Sequence, residues 1–210
     1  MKWFLPLLLL FCYIGQGNAG ELQWWNSDTV HLQISQQLAI IGQSAFRKNN
    51  KKIYYMHYQG SLCFFWTPYI LFSPGCRCVY RRKETDWTTR WYSLLEITFQ
   101  IHAESWSISN RCRAVYRMAK KCSKQPNWWL YRNRTELVFS APSIFFPYLS
   151  EEFFWEPHKN ITQNRITFGL RMPYHQTTQL DLCCMLRSLK TSTNHWINQN
   201  IIGLHLSLYF

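Results

Sequence analysis

The sequence predicts a mainly β fold: a single antiparallel, eight-stranded barrel with a short N-terminal helix and a late C-terminal helix. Two observations carry this expectation. From Ile53 onward, apolar and polar residues alternate with a period of two across many short segments separated by turn residues. Only two segments have helical spacing, so strands do not alternate with long helices as they would in an α/β layout.

The opening helix is read over Asp28 to Gly42. There Val30, Ile34, Leu38 and Ile41 recur at helical spacing between a capping Asp28 and a terminating Gly42. A polar loop follows at Arg47 to Lys52. Strands are then expected at Ile53 to Tyr58 and at Leu62 to Phe72, divided by a Gln59-Gly60-Ser61 turn, with Pro68 bending or ending the second. Cys76 to Arg81 is a short strand. The clearest alternation runs from Trp91 to Ile101: Trp91, Leu95, Ile97, Phe99 and Ile101 share one face, and Tyr92, Leu94, Glu96, Thr98 and Gln100 the other. Further strands are expected at Ala114 to Met118, Trp128 to Arg132, Glu136 to Phe139 and Ile166 to Met172. A helix is expected at Asp181 to Lys190, and a closing strand at Ile201 to Phe210.

The first residues have the form of a secretory leader: Lys2, an apolar run from Trp3 to Ile14, and a polar stretch ending in Gly17-Asn18-Ala19. The run is only about a dozen residues, short of the roughly 20 that a spanning helix needs. Cleavage after Ala19 would leave one domain, residues 20–210, outside the cell or in the secretory lumen. Cys12 departs with the leader, and Cys63, Cys76, Cys78, Cys112, Cys122, Cys183 and Cys184 remain. In an oxidising compartment most of these should pair, with one left over. Asn133 and Asn160 each begin an Asn-x-Thr triplet and are candidate glycosylation sites.

The chain carries a formal net charge of +12, which favours acidic partners such as an anionic polysaccharide or a membrane surface. Basic residues concentrate in Arg77-Arg81-Arg82-Lys83 and Arg111-Arg113-Arg117-Lys120-Lys121-Lys124, read either as a contact for a heparin-like polysaccharide or anionic membrane or as a charged rim that aids solubility. No nucleic-acid module accompanies them, and the leader argues against a nucleic-acid partner. No catalytic motif, phosphate-binding glycine loop, zinc-ligand pattern or cofactor motif occurs, so the sequence is read as that of a binding protein, not an enzyme. His102 beside Glu104, and His158 near Glu156, are isolated pairs with no third group to complete a catalytic set.

Aromatic residues make up 18% of the chain, with 11 tryptophans. Trp91, Trp106 and Trp128 are candidate pocket residues, since flat rings stack on cyclic or cationic ligands; Trp66, Trp87, Trp129 and Trp155 are further candidates. A cationic amine would need a buried carboxylate beside those rings, and Glu96 and Glu136 are the candidates, each on the less apolar face of its strand.

Several local segments together resemble the lipocalins secreted in tick saliva. They are Trp24 or Trp25 ahead of the first helix, Lys52 to Tyr58, Cys78-Val79-Tyr80, Glu136 to Ser140, and the pair Cys183-Cys184. The resemblance implies an eight-stranded barrel that sequesters a biogenic amine or lipid mediator, with no chemistry performed on it. The family's cysteine after the segment matched by Glu136 to Ser140 is absent, as is its cysteine near the C-terminus, so its disulfide pattern does not carry over. The expectation is a secreted, extracellular lipocalin-like protein that holds a small hydrophobic or amine ligand. The alternative is a secreted cytokine-like or viral immunomodulatory ligand acting through a protein interface.

Overall fold

A computed structural model describes residues 22–49, 52–83, 86–118, 128–140, 144–157, 159–191 and 193–210. The expected leader at 1–19, Cys122 and His158 lie outside the described residues. The chain forms β1 (Gln23–Ser35), β2 (Leu38–Lys48), β3 (Ile53–Thr67), β4 (Ile70–Lys83), β5 (Asp86–His102), β6 (Trp106–Met118), β7 (Trp128–Phe139), β8 (Phe146–Glu156), β9 (Asn160–His175), β10 (Thr178–Lys190) and β11 (Trp196–Tyr209). Each strand pairs with the next in antiparallel register, and β1 pairs with β11 to close the barrel. An odd number of strands in an up-and-down path leaves the first and last running the same way. The closing pair is therefore parallel, with Trp25 opposite Gly203 and Val30 opposite Leu208.

This eleven-stranded barrel corrects the expectation of an eight-stranded one with two helices. Among the described residues there is no helix. The segment expected as the opening helix is a hairpin: β1 and β2 reverse at Gln36 and Gln37, a turn without Gly or Pro to announce it. Residues from both strands mimicked a helical stripe. Asp181 to Lys190 is part of β10, where Leu180, Leu182 and Leu186 point outward while Asp181, Cys183 and Met185 point inward. The expected Gln59-Gly60-Ser61 turn is also absent, because Gly60 lies within β3, paired with Gly42 and Cys76. The chain does turn at Pro68, between β3 and β4.

The shortest strands have 11 residues and the longest 17. All are long enough to cross a bilayer, for which about 9–11 tilted residues suffice. The two faces of the wall have opposite character. In β5, Trp91 and Ile101 are 52% and 56% exposed on the outside, with Leu95, Ile97 and Phe99 between them. The alternate residues Glu96 and Thr98 line the interior. The same division holds in β3, where Tyr58, Leu62, Phe64 and Trp66 face out and His57 faces in. A soluble barrel buries its apolar face, and this one displays it.

Large aromatic residues gather toward the two rims of the outer wall. Tyr116, Trp129, Tyr131 and Trp155 form a chain of ring contacts at 4.9, 6.2 and 5.2 Å near one end. Trp66, Phe99, Trp106, Phe139 and Phe210 are exposed toward the other. Paired aromatic girdles flanking an apolar band are the surface pattern of membrane β-barrels. Among the described residues no helix is long and apolar enough to cross a membrane, which leaves crossing by strands unaddressed.

Candidate functional site

The interior is built by the inward residues of each strand. On β6 and β7, arginines occur at every second position, Arg111 and Arg113 on the first, Arg132 and Arg134 on the second. In register, Arg113 stands opposite Arg132 and Arg111 opposite Arg134. Like charges directly opposite one another are destabilising, so the block requires anions beside it. The flanking strands supply them. Glu96 of β5 pairs in register with Arg113, and Glu152 of β8 pairs with Arg134 on one side and Arg165 of β9 on the other.

The side chains complete this arrangement as two linked networks. Arg113 Nε donates to Glu96 Oε2 at 2.6 Å. Arg132 and Arg165 donate to the two oxygens of Glu152 at 2.6 and 3.0 Å. Arg111 bridges the two carboxylates, 3.8 Å from Glu96 and 3.7 Å from Glu152. In the second network Arg171 of β9 donates to Glu136 at 3.0 Å and to Asp181 at 3.1 Å, while Arg134 pairs with the other oxygen of Glu136. Arg113 and Glu152 are only 7% and 6% exposed. At that depth each charge depends on its partner, because an isolated buried ion would lose its hydration without return.

A cavity of about 450 Å³ runs through this lining. Arg47, Arg77, Arg111, Arg113, Arg132, Arg134, Arg165 and Arg171 face it, against the carboxylates of Glu96, Glu136, Glu152 and Asp181. The cations are in clear excess. Several are held on aromatic faces: the Arg47 guanidinium lies 3.7 Å from the Trp25 ring centre, and Arg165 lies 4.3 Å from that of Phe154. Toward the end of the barrel where β1 begins, the inward residues turn apolar. There Tyr55, Val79, Tyr92, Leu94 and Val115 pack with Tyr54, Trp128 and Leu130.

Glu96 and Glu136, expected from their strand faces, both reach the cavity. Each is clamped by arginines, so neither is free to receive an amine. Trp128 is half-buried in the inward apolar cluster. Trp91 and Trp106 are exposed on the outer wall, as are Trp66, Trp87, Trp129 and Trp155, and none of these lines the interior. The charged-rim reading of Arg77, Arg111 and Arg113 is corrected, since all three point into the barrel. Sequence reasoning missed the arginines as lining residues. Their signal was the Arg-x-Arg spacing of Arg111-Cys112-Arg113 and Arg132-Asn133-Arg134, which puts both members of each pair on one face of a strand.

Asn133 lies within β7, where its side-chain amide donates to Asn110 at 3.0 Å and to Cys112 at 3.1 Å. Asn133 therefore sits inside a strand of the barrel wall. Asn160 begins β9 and is exposed, with a φ of 58°. The expectation of a glycoprotein is not supported. Cys63, Cys76, Cys78, Cys112 and Cys183 carry free thiols, and Cys184 is disulfide-bonded.

Comparison with known proteins agrees with this geometry. A family model described as "Protein of unknown function (DUF2490)" matches residues 22–198. No curated protein matches the chain. Among solved structures, the barrel is similar to one described as "NanC porin structure in rhombohedral crystal form", with a TM-score of 0.54 and 10% identity. The match covers 82% of this chain and 86% of that one. At that identity the likeness is one of fold. A porin-like barrel overturns the resemblance to tick lipocalins. It likewise overturns the expectation of a freely secreted protein that captures an amine or lipid, and the cytokine-like alternative. A dry cup for an amine would need unpaired carboxylates, and this interior has paired carboxylates and surplus arginine.

Proposed function

The chain belongs to the DUF2490 family of proteins of unknown function, and on that premise we propose that it is an outer-membrane β-barrel whose arginine-lined interior passes small anions. The observation that carries this reading is the inverted polarity of the wall. Large apolar residues such as Tyr58, Leu62, Leu95, Ile97 and Phe99 face outward, and a block of arginines with their carboxylates faces the lumen. The porin-like fold supports the same placement. Selectivity follows from the excess of arginine over carboxylate, because fixed charge of one sign in a narrow low-dielectric passage concentrates counter-ions.

A second reading is favoured by the apolar cluster around Tyr55, Val79 and Tyr92, which fills part of the interior toward one end. In that reading the barrel admits an anion from the other end and holds it without passing it through. Eleven strands lie between the eight that side chains can fill and the larger counts that leave an open aqueous pore.

One experiment separates the two. The folded protein is inserted into a planar bilayer across a potassium chloride gradient, with insertion confirmed by protease protection. Discrete conductance steps with a reversal potential displaced toward that of chloride support the channel. A folded, inserted barrel without steps supports the closed form, and a potential displaced toward potassium overturns anion passage altogether.

A further inference from the structure

We infer that Arg47, His57 and Arg77 form a binding site for an oxyanion, a carboxylate or phosphate group of a solute that enters the lumen. The inference rests on reading the cavity as reachable by solutes and goes beyond general anion passage by naming a site.

The three residues lie on adjacent strands β2, β3 and β4 and all line the cavity. His57 is in register with Ala45 on one side and Val79 on the other. Arg47 is the next inward residue after Ala45, and Arg77 the inward residue before Val79. His57 is thus flanked diagonally by one arginine toward each end of the barrel, at the roughly 7–8 Å of diagonal cross-strand neighbours. Ala45 beside it contributes only a methyl group, so the wall in front of the imidazole is low.

This side of the lumen differs from the opposite wall in lacking a carboxylate. Among the described residues, neither Arg47 nor Arg77 has an ion-pair partner. Arg77 Nε donates to the neutral Oε1 of Gln59 at 3.0 Å, which orients the guanidinium without neutralising it. Arg47 is held by stacking alone, 3.7 Å from the Trp25 ring centre and 4.1 Å from that of Tyr55. Stacking fixes the guanidinium plane and leaves its N–H edge available, the geometry that suits planar recognition of carboxylate or phosphate.

An independent observation comes from His57 itself. It is only 7% exposed, and neither ring nitrogen has a hydrogen-bond partner among the protein groups. Its one ring contact is edge-on to Tyr55, at 5.6 Å between centres. A buried ring N–H facing a cavity between two unpaired guanidinium groups lacks an acceptor, and an oxyanion there would supply it to all three residues at once.

The test is calorimetric titration of the folded barrel in detergent, at constant ionic strength, with inorganic phosphate in one arm and acetate in the other. The wild type should bind at least one of them saturably, and the preferred arm identifies the head group. Arg77→Gln, Arg47→Gln and His57→Phe should each weaken that binding about tenfold or more. Substitutions at three positions keep the test decisive if one fails to fold, with folding judged by circular dichroism. Binding that is unchanged in the folded variants overturns the site, as does a folded wild type that binds neither ion. A barrel that conducts but does not bind loses this site and keeps the channel; one that binds but does not conduct keeps the site and loses the channel.

Discussion

The ring of Tyr148 in β8 lies flat over Gly169, its register partner in β9: a Cβ added to Gly169 would sit 2.5 Å from the ring. Gly169 is followed across the sheet by Cys183, Gly203 and Trp25, so in this row of the inner wall the large rings of Tyr148 and Trp25 each stand beside a glycine. The phenol is 2% exposed and packs with Val138, Phe146 and Cys183, with the Arg171 guanidinium 5.2 Å from its ring. The ring also lines the cavity, so it can make room only by swinging into the lumen and giving up those contacts. Gly169→Ala should therefore destabilise the barrel by about 1–3 kcal/mol, the usual cost of overpacking. Urea unfolding in detergent reads the loss, and an unchanged midpoint would show that the ring moves freely.

Glu152 holds Arg132 and Arg165 together and lies within reach of Arg111. Glu152→Gln keeps the shape of the side chain and removes its charge, leaving buried guanidinium groups crowded without an anion. The expected loss is about 3–5 kcal/mol, as for breaking a buried pair from one side. Adding Arg165→Met should restore part of that loss, because the second change removes one of the stranded charges. A double-mutant cycle in urea measures the coupling. Additive losses would mean that the two residues do not depend on each other.

The period of β5 was legible in the sequence and its orientation was not. Trp91, Leu95, Ile97, Phe99 and Ile101 do share a face, but an alternation of two is the same pattern whether the apolar side faces a core or a bilayer. What could have decided it was the content of the other face. Arg111-x-Arg113, Arg132-x-Arg134 and Glu152 put charge on alternate positions of successive strands, more than a dry cup tolerates. Glu96 and Glu136 lie on the strand faces expected of them, yet their partners were not legible: Arg113 and Arg111 meet Glu96 only through the register of β5 with β6, and Arg171 reaches Glu136 from β9, across β8. The β1–β2 hairpin was hidden for another reason. Its turn at Gln36-Gln37 has no turn-forming residue, and Val30, Ile34, Leu38 and Ile41 fall at helical intervals by spanning two strands.

Leu95 stands near the middle of β5 on the outer wall, and Thr98 lines the cavity from the same strand. Placing arginine at each separates lipid from lumen. Leu95→Arg should cost about 2–4 kcal/mol of folding stability in lipid vesicles, the penalty near a bilayer midplane, while Thr98→Arg should cost far less. Equal tolerance of the two would show that the outer face meets water.

Cys76 and Cys112 provide native reporters of the same placement. Both thiols are free and exposed on the outer wall, and both lie in mid-strand, on β4 and β6. The thiolate is the nucleophile that attacks a thiol reagent, and its formation requires water. In a bilayer these two cysteines should therefore resist a charged methanethiosulfonate that modifies the unfolded chain readily. Once labelled with pyrene maleimide before refolding, they should be quenched by lipids carrying a spin label deep in the acyl chain more than by lipids labelled at the head group. Rapid modification of Cys76 and Cys112 by the charged reagent in a vesicle-inserted, folded barrel would place the middle of the wall in water and remove the bilayer from the proposal. Mass spectrometry after digestion assigns the modified site, so Cys63, Cys78 and Cys183, which are buried, do not confuse the result.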